Sequence, residues 1–150
     1  MSTPVESRPL QVTRFIKAPR ERVFAAWTNP DHVRAWFGPA NCRVLDAQID
    51  LRVGGKYRFH VQSDPMGEMA VGGEYREITA PSKLVFTWRW EDDEDWDRIE
   101  SVVTVEFESK TGGTEVRITH DGFPSPESGG RHEHGWNGCL DKLETLMAGE

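Results

Sequence analysis

Cysteine is scarce in this chain: Cys42 and Cys139 are the only two in 150 residues. That argues against a disulfide framework, and a reducing, cytoplasmic setting is expected. No run of about 18 apolar residues occurs, so no membrane-spanning helix is expected. Met1 to Pro9 holds no apolar signal-peptide core. Basic residues are outnumbered, 18 Lys and Arg against 25 Asp and Glu, for a net charge of −7. A nucleic acid or an anionic membrane surface would want a basic face, so neither is expected as a partner. Gly-x-Ser-x-Gly, a phosphate-cradling glycine loop, a dinucleotide fingerprint, a His-Glu-x-x-His pair and paired cysteines are all missing. No catalytic residue is assigned, and neither a cofactor nor a metal is expected.

What is present is aromatic. Six Trp and seven Phe sit in a chain that is only 37% hydrophobic and 29% charged. The length suits one domain with a real core, here residues 10–150 behind a loose tail over 1–9. Leu10, Val12, Arg14 and Ile16 share one face of a first strand. Pro19 then opens a short helix with Val23, Phe24 and Trp27 on its apolar side. Thr28-Asn29-Pro30-Asp31 ends it and caps a second, which carries Val33, Trp36 and Phe37 and stops at Gly38-Pro39.

From Cys42 to Asp121 the period changes to two. The alternating sets are Leu45-Ala47-Ile49-Leu51, Tyr57-Phe59-Val61, Tyr75 with its neighbours to Ile78, Leu84-Phe86-Trp88-Trp90, Val103-Val105-Phe107 and Val116-Ile118-His120. Gly54-Gly55, Gly72-Gly73, Ala80-Pro81-Ser82 and Gly112-Gly113 punctuate them. Strands joined by such short signals form an antiparallel meander. Its apolar face needs a cover. The cover is a last segment with Trp136, Cys139, Leu140, Leu143, Leu146 and Met147 at helical spacing, and His132 continuing that stripe.

Particular runs resemble a known superfamily. They include Val23-Phe24-x-Ala26-Trp27-Thr28-x-Pro30, Trp36-Phe37-Gly38-Pro39, Val53-Gly54-Gly55-x-Tyr57, Gly73-x-Tyr75-x-Glu77-Ile78, Leu84-Val85-Phe86-Thr87-Trp88, His120-x-Gly122-Phe123 and His132-x-x-Gly135-Trp136. In order and spacing they resemble the START-like (SRPBCC, helix-grip, polyketide cyclase-like) superfamily. More narrowly they resemble its branch akin to activators of the heat shock protein 90 ATPase (AHSA-like). The resemblance implies an α+β helix-grip fold: a curved antiparallel sheet, in the order β-α-α-β6-α, wrapped around a long C-terminal helix with an internal cavity. It also implies an apolar small-molecule ligand. Gly129-Gly130 departs from the pattern, standing where good helix formers are expected at the start of the last helix.

Within that fold Trp27, Trp36, Phe59, Tyr75, Phe86, Trp88, Trp90 and Trp136 face inward and are the candidate ligand-binding surface. The alternative is that these rings only fill the core. Arg14 and His120 are in phase with inward apolar neighbours; either would orient a ligand or serve as a satisfied structural group. His132, one turn before Trp136, would present a titratable group to the cavity, whereas His134 points about 200° away on a helix, so the two cannot share a metal ion. The acidic run Glu91 to Asp95 reads as a solvated hairpin, with Trp96 in it an exposed contact point. Cys139 reads as a packing residue. The expected function is non-catalytic binding of an apolar or aromatic small molecule by a monomer or weak homodimer. The alternatives are stimulation of a heat shock protein 90 ATPase, or a cofactor-free cyclase-like or hydrolase-like enzyme. The N-terminal half of the last helix, Gly129 to Trp136, is the expected cavity mouth.

Overall fold

The computed structural model describes residues 9–38, 42–63, 67–91, 94–96 and 99–148. Strand β1 (Leu10–Ile16) is followed by helices α1 (Arg20–Thr28) and α2 (Pro30–Trp36). Six further strands come next: β2 (Cys42–Ile49), β3 (Lys56–Ser63), β4 (Gly67–Thr79), β5 (Lys83–Trp90), β6 (Ser101–Lys110) and β7 (Gly113–Asp121). A 3-10 turn, Glu94–Trp96, precedes β6, and helix α3 (Pro126–Ala148) closes the chain. All strands pair antiparallel in the order β1-β7-β6-β5-β4-β3-β2, so a chain-order meander is completed by β1 returning beside β7. This is the α+β helix-grip arrangement, a curved half-barrel sheet with one long helix against its concave face.

The helix pair is set by local chemistry. The Asn29 backbone N–H bonds the carbonyl of Ala25 at 2.9 Å and ends α1, while its side chain accepts from the N–H of Asp31 at 2.9 Å and caps α2. Pro30 takes the first helical position, where no N–H is needed. The indole of Trp36 then donates to the Ala26 carbonyl at 2.8 Å and locks the two helices together.

The sheet bends where its register shifts, between Tyr75 and Glu77 on β4 and between Val44 and Asp46 on β2. Gly73 marks the first bend. A Cβ there would stand 2.0 Å from the carbonyl oxygen of Thr87, so only glycine admits β5 that closely. Gly72-Gly73 thus lies inside β4, which begins at Gly67, and does not open the strand as the sequence suggests.

Period-two alternation appears directly as burial: Val103, Val105, Val116, Ile118 and Leu84 are each at most 1% exposed. Helix α3 covers the concave face with Leu140 and Leu143, both fully buried. Its closest backbone neighbours are β1 and α2, while α1 lies against β6 and β7. The β1 side of the sheet is therefore the part that α3 approaches most closely. Arg14 makes that contact ionic: its guanidinium bonds Asp141 at 2.8 Å, Glu144, and the side-chain oxygen of Asn137 at 3.2 Å.

The start of α3 is regular despite Gly129 and Gly130. Ser125 Oγ accepts from the N–H of Ser128 at 3.2 Å, a cap on the first turn. A Cβ on Gly129 would touch the Phe123 ring at 3.4 Å, so this glycine seats the helix on an aromatic side chain. Among the described residues, no helix is long and apolar enough to cross a membrane. The tail residues 1–8 lie outside the described residues.

Candidate functional site

Two interior spaces separate the inward aromatics into distinct groups. The first is a void of about 10 Å³ among Trp27, Trp36, Tyr57, Phe59, Tyr75 and Phe86, closed above by Phe37, Trp88 and Trp136. That is room for a single water at most. These rings pack at centroid separations such as 4.6 Å for Trp27 and Trp36 and 5.3 Å for Tyr57 and Phe86. Trp27, Trp36, Phe59, Tyr75 and Phe86 thus lie in a filled core. Burial raises the Tyr57 and Tyr75 phenols well above their ordinary value, so neither is a ready acid or base.

The second space is a cavity of about 910 Å³, open to solvent, between the N-terminal half of α3 and the ends of β2 to β5. Trp88, Trp90, His132 and Trp136 line it, as do Trp96, Met69, Val61, Cys42 and Cys139. Glu127, Gly130, Arg131, His134 and Gly135 make up its α3 side. Of the segment expected at the mouth, Gly130, Arg131, His132, His134, Gly135 and Trp136 are in the wall of this cavity, while Gly129 and Glu133 are not.

Its floor is a hydrogen-bonded aromatic cluster. The Trp136 indole donates to Nδ1 of His120 at 3.1 Å. An indole N–H can only donate, so His120 carries its proton on Nε2. That proton goes to Ser101 Oγ at 2.8 Å, and Ser101 in turn donates to the Trp88 carbonyl at 2.8 Å. His120 is 0% exposed, and burial drives its pKa well below the ordinary value. It lies behind the wall, holding Trp136 and Trp88 in place, and is not in the lining.

His132 is wired the opposite way. Its Nδ1 proton goes to the Ser128 carbonyl at 2.8 Å, one helical turn back. Its Nε2 accepts from the indoles of Trp90 at 2.9 Å and Trp88 at 3.2 Å. The ring is enclosed by Phe123 at 5.0 Å, His120 at 5.3 Å and Trp96 at 5.4 Å between centroids. Desolvation lowers the His132 pKa, with the Ser128 bond opposing it and the Arg131 charge reinforcing it. Both histidines are neutral acceptors of indole protons.

Two sequence expectations change here. Arg14 is outside both interior spaces; it ties β1 to α3 through Asp141 and Glu144, because its strand position faces the helix and not the cavity. Trp96 is 2% exposed, packed on His132, and so is part of the wall and not an exposed contact point. Cys139, as expected, is a packing residue: its thiol is pushed up to about 12 by burial while its sulfur accepts from the Gly38 N–H at 3.1 Å. Gly38, at φ +91°, is pressed against Cys42, where a Cβ would come within 2.8 Å of the Cys42 Cβ. Sequence reasoning missed Cys42, Met69, Glu127 and Arg131. The one available signal was the three-to-four-residue spacing Glu127, Arg131, His134, which marks a single helix face. Among the described residues no three His, Cys, Asp or Glu side chains are grouped to hold a metal ion.

Residues 17–148 match the model of a family described as Activator of Hsp90 ATPase homolog 1-like protein. Among solved structures, the chain is similar to the AHSA1 protein from Silicibacter pomeroyi at 28% identity, TM-score 0.81, over 94% of this chain and 98% of that one. An uncharacterised protein from Rhizobium leguminosarum is 32% identical, TM-score 0.78, with 95% of each chain covered. An AHSA1-like protein from Aeromonas hydrophila is 27% identical, TM-score 0.77, over 95% and 94%. A search of the curated proteins matches none.

Proposed function

The chain belongs to the Activator of Hsp90 ATPase homolog 1-like family, and on that footing we propose that it binds an apolar or aromatic small molecule non-catalytically in the 910 Å³ cavity. The carrying observation is the wall itself, with Trp88, Trp90, Trp96, Trp136 and Met69 around a volume of ligand size. Trp88, Trp90, His132 and Trp136 are the wall residues we assign to ligand contact; His120 supports them from behind. Catalysis would need a free acid or base at this wall. His132 on the wall and His120 behind it have both ring nitrogens occupied within the protein; Glu127 and His134 are the other acid-base groups of the lining.

Native mass spectrometry of freshly purified protein, with a tryptophan-fluorescence titration by apolar and aromatic compounds, tests the reading. An adduct, or saturable quenching that Gly135→Trp removes by filling the cavity, supports it. No adduct and no saturable response across the panel overturns it. If the protein then raised the ATPase rate of a heat shock protein 90, the chaperone role in the family's description would replace it.

A further inference from the structure

We infer that the ligand of this cavity is a single-headed weak acid, an apolar or aromatic body bearing one carboxylate, with its head at the Arg131 end of α3. The inference rests on the binding role proposed above and adds the chemistry of the head group.

Where the two indoles meet His132, hydrogen-bonding capacity is unbalanced toward donors. The Trp136 indole is spent on His120, the Gly38 N–H on Cys139, and the His132 Nδ1 proton on Ser128. Two indoles, Trp88 and Trp90, share one acceptor, His132 Nε2. A neutral imidazole nitrogen offers one lone pair, so the pair amounts to one donor too many. A polar group buried against these two indoles is therefore matched by an acceptor. The apolar part of the lining, Val61, Met69, Trp96 and Trp136, takes a body without polar atoms, since an unmatched polar group there would lose its water without replacement.

Arg131 supplies the second observation. It lines the cavity, and among the described residues its guanidinium has no hydrogen-bond or ion-pair partner, whereas Arg14, Arg34, Arg52, Arg76 and Arg117 have carboxylate partners. It stands in the second turn of α3, beyond the first turn in which the helix dipole acts. Guanidinium meets carboxylate in a two-pronged, charge-assisted geometry that an alcohol or amide cannot match. Glu127, four residues earlier on the same wall, is the rival anchor and would select an organic cation instead. It sits in the first turn, where the helix end already complements its charge. The opposing field of a chain with net charge −7 is screened within about 8 Å at physiological salt, so contact at the rim decides.

Isothermal titration with two matched probe sets tests this: dodecanoate, dodecanol and dodecyltrimethylammonium, then naphthoate, naphthylmethanol and naphthylmethylammonium. The acid of at least one set should bind about tenfold or more tightly than its alcohol. Arg131→Gln should erase that difference, and Glu127→Gln should keep or widen it. Both side chains are exposed, so neither change threatens the fold. Equal binding of acid and alcohol, or tightest binding by the ammonium probe with loss in Glu127→Gln, overturns the head-group inference and leaves the cavity reading intact. Binding by none of the six probes overturns both.

Discussion

Trp88 and Trp90 aim their indole N–H groups at a single atom, Nε2 of His132, from 3.2 and 2.9 Å. They lie two residues apart on β5, so alternation puts both on one face. The histidine comes from α3, and the shared atom is where helix and sheet are joined at the cavity. A proton on Nε2 would set a third N–H against those two, with no acceptor between them.

Stability should therefore depend on pH in a definite direction. The folded pKa values of His132 and His120 are lowered relative to the ordinary 6.5. The unfolded chain then binds more protons than the folded one as pH falls below about 6.5. Their contribution is fully present above that pH and is lost progressively toward the depressed folded values. The Arg131 charge acts on His132 in the same direction as desolvation, and His132 acts so on His120. Thermal melts between pH 8 and pH 5 should show a falling midpoint below about 6.5. His132→Gln should flatten part of that slope and leave the share due to His120. An unchanged slope would remove His132 from this role.

The Arg14 cluster should carry measurable stability without touching the cavity. Its guanidinium is 21% exposed, while Asp141 and Glu144 are 72% and 44% exposed, so solvent discounts the pairing. Arg14→Leu should cost about 1–2 kcal/mol in chemical denaturation. Added salt should weaken the parent protein toward the variant. Ligand affinity should be unchanged in Arg14→Leu; a large loss would mean the guanidinium reaches the cavity after all.

Packing of the α3 anchor makes a larger effect. Leu143 is fully buried between the helix and the sheet. Leu143→Ala removes buried methyl groups and leaves a hole, at a cost of about 3–5 kcal/mol by denaturant titration. A cost under about 1 kcal/mol would mean the site collapses around the smaller side chain.

Most strand phases were legible from residue alternation, and so was the covering helix. Strand β2 was not, because its register shifts between Val44 and Asp46 and leaves Leu45 40% exposed, while Leu51, 43% exposed, lies beyond the strand. Period two fixes which face a residue such as Phe59 or Trp90 takes. It does not fix how far along the barrel that residue stands, so it could not separate Phe59 in the filled core from Trp90 in the cavity wall. Depth depends on the register shift after Tyr75 and on the close approach at Gly73, both of which are tertiary. Trp96 was hidden for another reason. Its acidic neighbours argue for solvent, yet a three-residue turn suffices to tuck one indole against His132. Arg14 shows the converse: inward phase was correct, but α3 met it with two carboxylates before any cavity began.

The glycines of α3 offer the sharpest separation of cavity from core. A Cβ on Gly130 or on Gly135 would meet nothing within 4 Å, and both residues line the cavity. A Cβ on Gly129 would meet the Phe123 ring at 3.4 Å, an ordinary contact. Alanine is favoured over glycine in a helix interior by about 1 kcal/mol. Gly130→Ala and Gly135→Ala should each raise stability by roughly 0.5–1 kcal/mol, since neither displaces protein atoms. Gly129→Ala should gain about as much or slightly less, depending on how the Phe123 ring yields. Ligand affinity should respond differently. Alanine at Gly130 or Gly135 puts a methyl group into the space a ligand would occupy, whereas alanine at Gly129 points it at Phe123. Denaturation midpoints set beside binding constants for the three variants give the test. A helix that trades stability for room should show stability rising while affinity falls at Gly130 and Gly135 but not at Gly129. Rising stability with unchanged affinity at all three would mean the glycines do not make space for a ligand.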